Sequence, residues 1–182
     1  MAGQLLVASP ALRHPTFHRT VILLLDDDEE SGSIGVVVNR PMPVDVDVVL
    51  PQWQPYLSAP GRLYKGGPVA EDSALGVAVV PGHAQALPGV RRLIGAFGLV
   101  DLDGAPGELA GHLSGLRIFA GYAGWGPGQL RDELKEDSWF LVASEPGDCY
   151  TDTPETLWAD VLRRQGGDLA LVASFPTDPE LN

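Results

Sequence analysis

A chain of 182 residues with 45% hydrophobic and 20% charged residues is of a size and composition to fold as one globular domain, and it holds no apolar run near the ~20 residues of a membrane span. Its 24 acidic and 12 basic side chains leave a net charge of -12, which repels phosphate backbones and anionic lipid surfaces, so direct nucleic-acid binding is disfavoured and no membrane partner is expected. A single cysteine, Cys149, allows no internal disulfide, and the opening MAGQLLVASPALRHP lacks the charged and apolar regions of a signal peptide, so the expected location is cytoplasmic.

In chain order, residues 4–8 (QLLVA) and 19–25 (RTVILLL) read as strands joined by the proline-containing turn SPALRHPTF. The acidic run DDDEE is a solvated hairpin-like turn leading into the β-branched strand SIGVVV, which ends at Asn39-Arg40-Pro41. VDVDVVL, residues 44–50, alternates apolar and acidic positions and fits either a short edge strand or a short helix. Residues 51–61 read as a loop, RLYK as a short strand broken by Gly66-Gly67, and ALGVAVVP and the segment around RRLIGAFGLVD as further strands. PGELAGHLSG, with proline at its start and glycine at its end, predicts a short helix; GLRIFAGY and WFLVAS predict strands.

The clearest helix is TPETLWADVLRRQGG, residues 153–167. Thr153 suits the N-cap and Pro154 the first helical position; Leu157, Trp158, Val161 and Leu162 form an apolar stripe, and Gly166 supplies the stop. DLALVASF reads as a closing strand and PTDPELN as a frayed tail. With no internal repeat and no linker, residues 1–182 read as a single α+β domain.

GYAGWGPGQL, residues 121–130, concentrates permissive backbone between a strand and a helix that starts near Pro127. With Gly126 as N-cap, Gln129 falls at the third helical position, where its side chain can return to the N-cap N–H. Gly121, Gly124 and Gly128 then still flank Tyr122 and Trp125. Either bare amides at the helix N-terminus face an anion-binding cleft walled by the two rings, or the rings are core anchors and the glycines permit close packing.

Other motifs carry less chemistry. The run of Gly124, Gly126 and Gly128 has Gln129 where a dinucleotide fingerprint needs its third glycine, and YKGGP lacks the Gly-Lys-Ser/Thr of a phosphate-binding loop. Lys65 can nevertheless supply a cation beside Gly66 and Gly67, and Arg40 in the Asn39-Arg40-Pro41 turn can clamp a carboxylate or phosphate. His14, His18, His83 and His112 have no metal-binding spacing and no cysteine cluster beside them, so no metal is expected. Cys149 lies between Asp148 and Asp152, whose charges oppose a thiolate, and no G-x-S-x-G elbow occurs. No catalytic set and no cofactor are read from the chain.

GQLLVASPAL, FHRTVILL, SIGVVVNRP, KGGPV, GYAGWGPGQL, the tryptophan of EDSWF, the tryptophan helix and GGDLAL, in this order, resemble the bacterial YqgE/AlgH proteins, whose members are often labelled transcriptional regulators. The resemblance spans nearly the whole chain. The family's pattern falls on Pro10, Phe17, Arg19, Gly35, Asn39, Pro41, Gly66, Gly67, Pro68, Gly121, Tyr122, Gly124, Trp125, Gln129, Leu130, Glu133 and Trp139. It implies an α+β fold with a twisted, partly barrel-like mixed sheet flanked by helices. His14 stands where the family usually has aspartate and Arg131 where it usually has glutamate, which removes two carboxylates from any metal or acid–base role.

Three functions follow as expectations. The first is a non-enzymatic cytoplasmic regulatory or adaptor protein, in which the turns bearing Asn39, Arg40, Gly66, Gly67, Tyr122, Gly124, Trp125 and Gln129 converge to bind a small ligand or a protein partner. The second is direct DNA binding, for which the chain offers no helix-turn-helix pattern or basic stripe. The third is an enzyme acting on a small anionic substrate, with Arg19, Arg40 or Lys65 positioning it.

Overall fold

A computed structural model describes residues 1–82, 87–107 and 109–176 of the chain. His83 and all of the tail reading except Pro176 lie outside the described residues. The elements are β1 (Leu5–Ala8), β2 (Val21–Asp28), β3 (Gly32–Val37), β4 (Pro41–Asp45), β5 (Arg62–Lys65), β6 (Val69–Val79), β7 (Val90–Arg92), β8 (Phe97–Val100), β9 (Gly115–Trp125), α1 (Gln129–Lys135), β10 (Trp139–Val142), α2 (Leu157–Gln165) and α3 (Gly167–Val172). The strands form one curled, half-barrel mixed sheet in the order β10-β1-β2-β3-β9-β6-β8-β7, and β5 pairs with β9 and carries β4 outside it. The fold is α+β.

Period-two alternation divides the strands between two faces. Leu5 and Val7 of β1 and Val21, Leu23 and Leu25 of β2 enter a cluster covered by Leu157, Trp158, Val161 and Leu162 of α2. Leu6, Ala8, Ile22 and Leu24 enter another, covered by Leu130 of α1. A third cluster packs Leu116 and Ile118 of β9 against Val46 and Trp53.

Strand β9 serves all three clusters because it bends at Gly121, whose φ of 68° lies in the left-handed region that glycine tolerates. The prediction that the strand ends near Gly121 is therefore corrected: it runs on to Trp125, pairing in parallel with β5 before the bend, with β3 after it and with β6 on both sides of it. The bend changes the parity of the strand. Phe119 and Tyr122 both pack on the first cluster, while Ala123 and Trp125 face the second.

Three further readings are corrected. DLALVASF is not a strand: Gly167–Val172 is helical, with Leu169, Val172 and Ala173 packed on the first cluster at helical spacing. An apolar run this short fits either period, and the packing surface decides. Among the described residues of PGELAGHLSG the helical part is a 3-10 turn, Leu109–His112, and α2 begins at Leu157 after Thr156 rather than after Thr153. The ambiguous VDVDVVL divides between the end of β4 and a 3-10 turn, Val46–Val48.

The close approach that shapes the sheet is backbone on backbone. A Cβ on Gly66 would lie 2.2 Å from the carbonyl oxygen of Gly121, and one on Gly67 2.1 Å from the carbonyl carbon of Tyr122. The amide of Gly66 donates to Ala120 O and its carbonyl accepts from the Val37 amide, both at 2.8 Å, so β3, β5 and β9 are tied at one point.

Beyond the bend, Pro127 and Gly128 (φ 78°) form a type II turn closed by the Gln129 amide donating to Gly126 O at 3.1 Å. Gln129 Oε1 accepts from the Gly126 amide at 3.0 Å, as its spacing predicts, although the helix itself starts at Gln129. Its Nε2 donates to Glu133 Oε1 at 2.8 Å. Glu133 Oε2 accepts from the indoles of Trp125 and Trp139, at 2.9 and 2.8 Å, and the two rings meet edge to face at 5.9 Å.

Arg117 is 2% exposed and donates to the carbonyls of Cys149, Ala59 and Thr151, with its guanidinium 4.1 Å from the centre of the Tyr64 ring. Burial pushes the neighbouring Cys149 thiol up to about 12, against a smaller opposing pull from Arg117.

Gly67→Ala is expected to destabilise the protein by about 3 kcal/mol or more, measured by urea unfolding, because neither backbone can yield to the added methyl group. Glu133→Ala leaves two indole N–H groups without their acceptor and is expected to cost about 2 kcal/mol; Glu133→Gln should recover part of it, and equal loss in both would refute the acceptor role. Cys149 is expected to resist alkylation at pH 8 in the native state and to react on unfolding, since the thiolate is scarce far below a pKa of about 12.

Candidate functional site

The segment between β1 and β2 carries Arg13, His14, His18 and Arg19 and no carboxylate, which is unusual in a chain of net charge -12. It is held at both ends. The Ser9 amide donates to Ser138 O at 3.0 Å, and Phe17 packs its ring on Trp139 edge to face at 5.7 Å. At the far end the buried Asn39 side chain accepts from the Val21 amide at 2.9 Å and donates to Arg19 O at 3.0 Å. That bond helps hold Arg19 at a φ of 52°, a conformation unusual for a residue with a Cβ.

The two arginines next to Asn39 are bonded to carbonyls. Arg19 donates to Phe175 O and stands 4.2 Å over the Trp158 ring. Arg40 donates to His18 O and, at 3.3 Å, to Asn39 O. Neither has a carboxylate within ion-pair distance among the described residues. Desolvation lowers both pKa values from an ordinary value so high that the guanidinium groups stay charged.

Cavities open on both sides of this segment. One of about 300 Å³ is lined by Pro15, Thr16, Val37, Arg40, Lys65 and Gly67. A second of about 300 Å³ shares Arg40 and adds His18, Arg19, Asn39, Glu155 and Trp158. A third, of about 800 Å³, lies between Ser9–Arg19 and the end of α3. The Lys65 amide donates to Arg40 O at 2.8 Å, which sets the end of β5 beside the turn between β3 and β4 that carries Arg40; Lys65 is paired with the exposed Glu71 at 3.2 Å.

The predicted site residues therefore fall into two environments. Asn39, Arg40 and Gly67 line adjoining cavities, with Gly66 behind them, both its backbone groups already bonded. Tyr122 packs on the first cluster, Gly124 pairs with Ile34, and Trp125, 6% exposed, joins Gln129 around Glu133. The Gly126 amide is capped by Gln129 as predicted, and the Gln129 amide is bonded to Gly126 O, so these two amides at the helix start are occupied. Arg131, at a departure from the family's pattern, reaches Asp27 at 3.8 Å and Glu29 at 3.4 Å and offsets charge in the acidic turn; His14 packs on Phe17 at 6.0 Å. From the wall formed by residues 9–19 the sequence names only Arg19 as a candidate for holding an anion; the signal for the rest was a basic stretch free of acids in an acidic chain.

The family model described as AlgH-like matches residues 5–170. A UPF0301 protein of Streptomyces coelicolor is 60% identical over 185 residues, spanning 100% of this chain and 95% of its own. A UPF0301 protein of Thermobifida fusca is 42% identical over 190 residues, spanning 100% and 96%. Among solved structures, the crystal structure of a Corynebacterium diphtheriae protein superposes with a TM-score of 0.90 at 35% identity, over 96% of this chain and 92% of that one. The solution structure of the AlgH protein from Pseudomonas aeruginosa superposes with a TM-score of 0.66 at 26% identity, over 96% and 93%. With the family's motifs placed on β1, β3, β5, β9 and α1 and matches of this extent, the chain belongs to the AlgH-like (YqgE/AlgH) family.

Proposed function

We propose that this chain is a non-enzymatic cytoplasmic regulatory or adaptor protein that binds a small anionic ligand, or an anionic segment of a protein partner, in the cavity lined by Arg40, Lys65 and Gly67. The observation that carries the reading is the placement of Arg40: a guanidinium bonded to carbonyls, without a carboxylate partner among the described residues, at the wall of a cavity. A protein of net charge -12 has acidic groups to spare for neutralising its cations, and this one stays available to an anion from solution. Lys65 adds a second cation whose present partner, Glu71, is exposed and readily exchanged. Membership of a family and possession of a fold do not specify function, so the reading rests on these side chains. Among the described residues no helix is long and apolar enough to cross a membrane.

Pyrophosphate and citrate, titrated at fixed ionic strength, are suitable probes. The expected result is a saturable shift of the Val37, Gly66 and Gly67 amide resonances, weakened about tenfold by Lys65→Met and at least as much by Arg40→Met. Lys65→Met is the decisive variant because its side chain is half exposed and its loss leaves the sheet intact. Shifts scattered over the surface, or unchanged in Lys65→Met, would refute the site.

A further inference from the structure

The cavity of about 800 Å³ shares no lining residue with the Arg40–Lys65 cavity and calls for different chemistry. Pro10, Ala11, Phe140, Val172, Phe175 and Pro176 give it an apolar body, and its volume lies within the ~300–1,000 Å³ of small-molecule pockets. Arg13, His18 and Arg19 stand on its wall against one carboxylate, Asp137. Among the described residues, Arg13, which is exposed, has no ion-pair partner, and the Arg19 guanidinium has only Phe175 O and the Trp158 ring. Ser9 also lines the cavity; the residue is 4% exposed, and its enclosed Oγ has no hydrogen-bond partner among the described residues.

We infer that this cavity binds a small amphiphilic carboxylate. Its hydrocarbon body lies against Phe140, Val172 and Phe175, and its anionic head is held by Arg13 and Arg19. The charge of the wall selects the sign of the head group: two arginines, in a protein otherwise strongly acidic, favour an anion over a cation. The apolar wall requires a chain rather than a small inorganic ion.

Hexanoate, octanoate and decanoate, below their aggregation limits, test this by calorimetry on the full chain. The expected result is saturable binding of one molecule that tightens about three- to fourfold per methylene. Decyltrimethylammonium is expected to bind at least tenfold more weakly than decanoate, and Arg13→Ala to weaken decanoate about fivefold. Ala11→Trp, which fills the cavity from an exposed position, should abolish binding; amide shifts in the unmodified protein, confined to residues 9–13 and 172–175, locate the ligand independently of any variant. No dependence on chain length, equal affinity for the cation, or shifts elsewhere would overturn the proposal. A dimer dissociated by Ala11→Trp would assign the cavity to a second copy of the chain. Decanoate binding only after removal of residues 177–182 would assign it to the chain's own end. Either result also overturns the proposal.

Discussion

Two pairs of residues, Gly66-Gly67 and Gly121-Tyr122, lie closer together than any β-carbon on either glycine of the first pair would allow. From that contact the rest of the molecule follows. The Gly66 backbone ties β3 to β9, the left-handed turn at Gly121 shifts the parity of β9, and one strand can then contribute Phe119 and Tyr122 to one core and Trp125 to another. The same contact carries function, because Gly67 closes one wall of the cavity and the residue before Gly66, Lys65, is bonded through its amide to Arg40. A packing constraint and a binding surface are here two sides of one pair of glycines.

The aromatic half of the motif does other work. A half-buried carboxylate against two indole rings is stabilised by having its oxygens bonded, and Glu133 has three donors: two indoles and the Gln129 side-chain amide. Those bonds fix the orientation of both tryptophans and the pitch at which α1 leaves the strand. An indole so engaged has no donor left for a ligand, which is why the geometry favours the Arg40 side of the glycine contact over the Trp125 side. Phe17 extends the ring stack to the segment between β1 and β2, so the aromatic cluster also positions the loop that carries Arg13, His18 and Arg19.

Much of this was legible from local chemistry. Continuous apolar runs of strand length located β1, β2 and β3, the apolar stripe of Leu157, Trp158, Val161 and Leu162 located the buried face of α2, and the Gly126–Gln129 spacing anticipated a bond that the structure shows at 3.0 Å. The misread parts depend on contacts between distant residues. Nothing local distinguishes DLALVASF as a helix, since its period is set by what it packs against. Nor does the sequence reveal that β9 continues past a left-handed glycine, because the partner that makes the bend necessary lies more than fifty residues earlier. The candidate site was half visible for the same reason: Asn39, Arg40 and Gly67 announce themselves as turn residues, whereas the 9–19 wall becomes a wall only when β10 and α3 come alongside.

Three arginines in this acidic protein, Arg19, Arg40 and Arg117, are satisfied by carbonyl oxygens and have no carboxylate at ion-pair distance among the described residues. Carbonyls stabilise a guanidinium without cancelling its charge, so each retains an electrostatic pull that a salt bridge would have spent. Access decides what that pull can do. Arg117 is enclosed, 2% exposed and stacked on Tyr64, and its field acts only on the residues around it. Arg19 and Arg40 are instead half-buried at cavity walls, where desolvation strengthens attraction and an opening admits an anion. The same bonding pattern therefore serves as a core strut at one position and as a receptor at two others, and the difference lies in the space left in front of the charge.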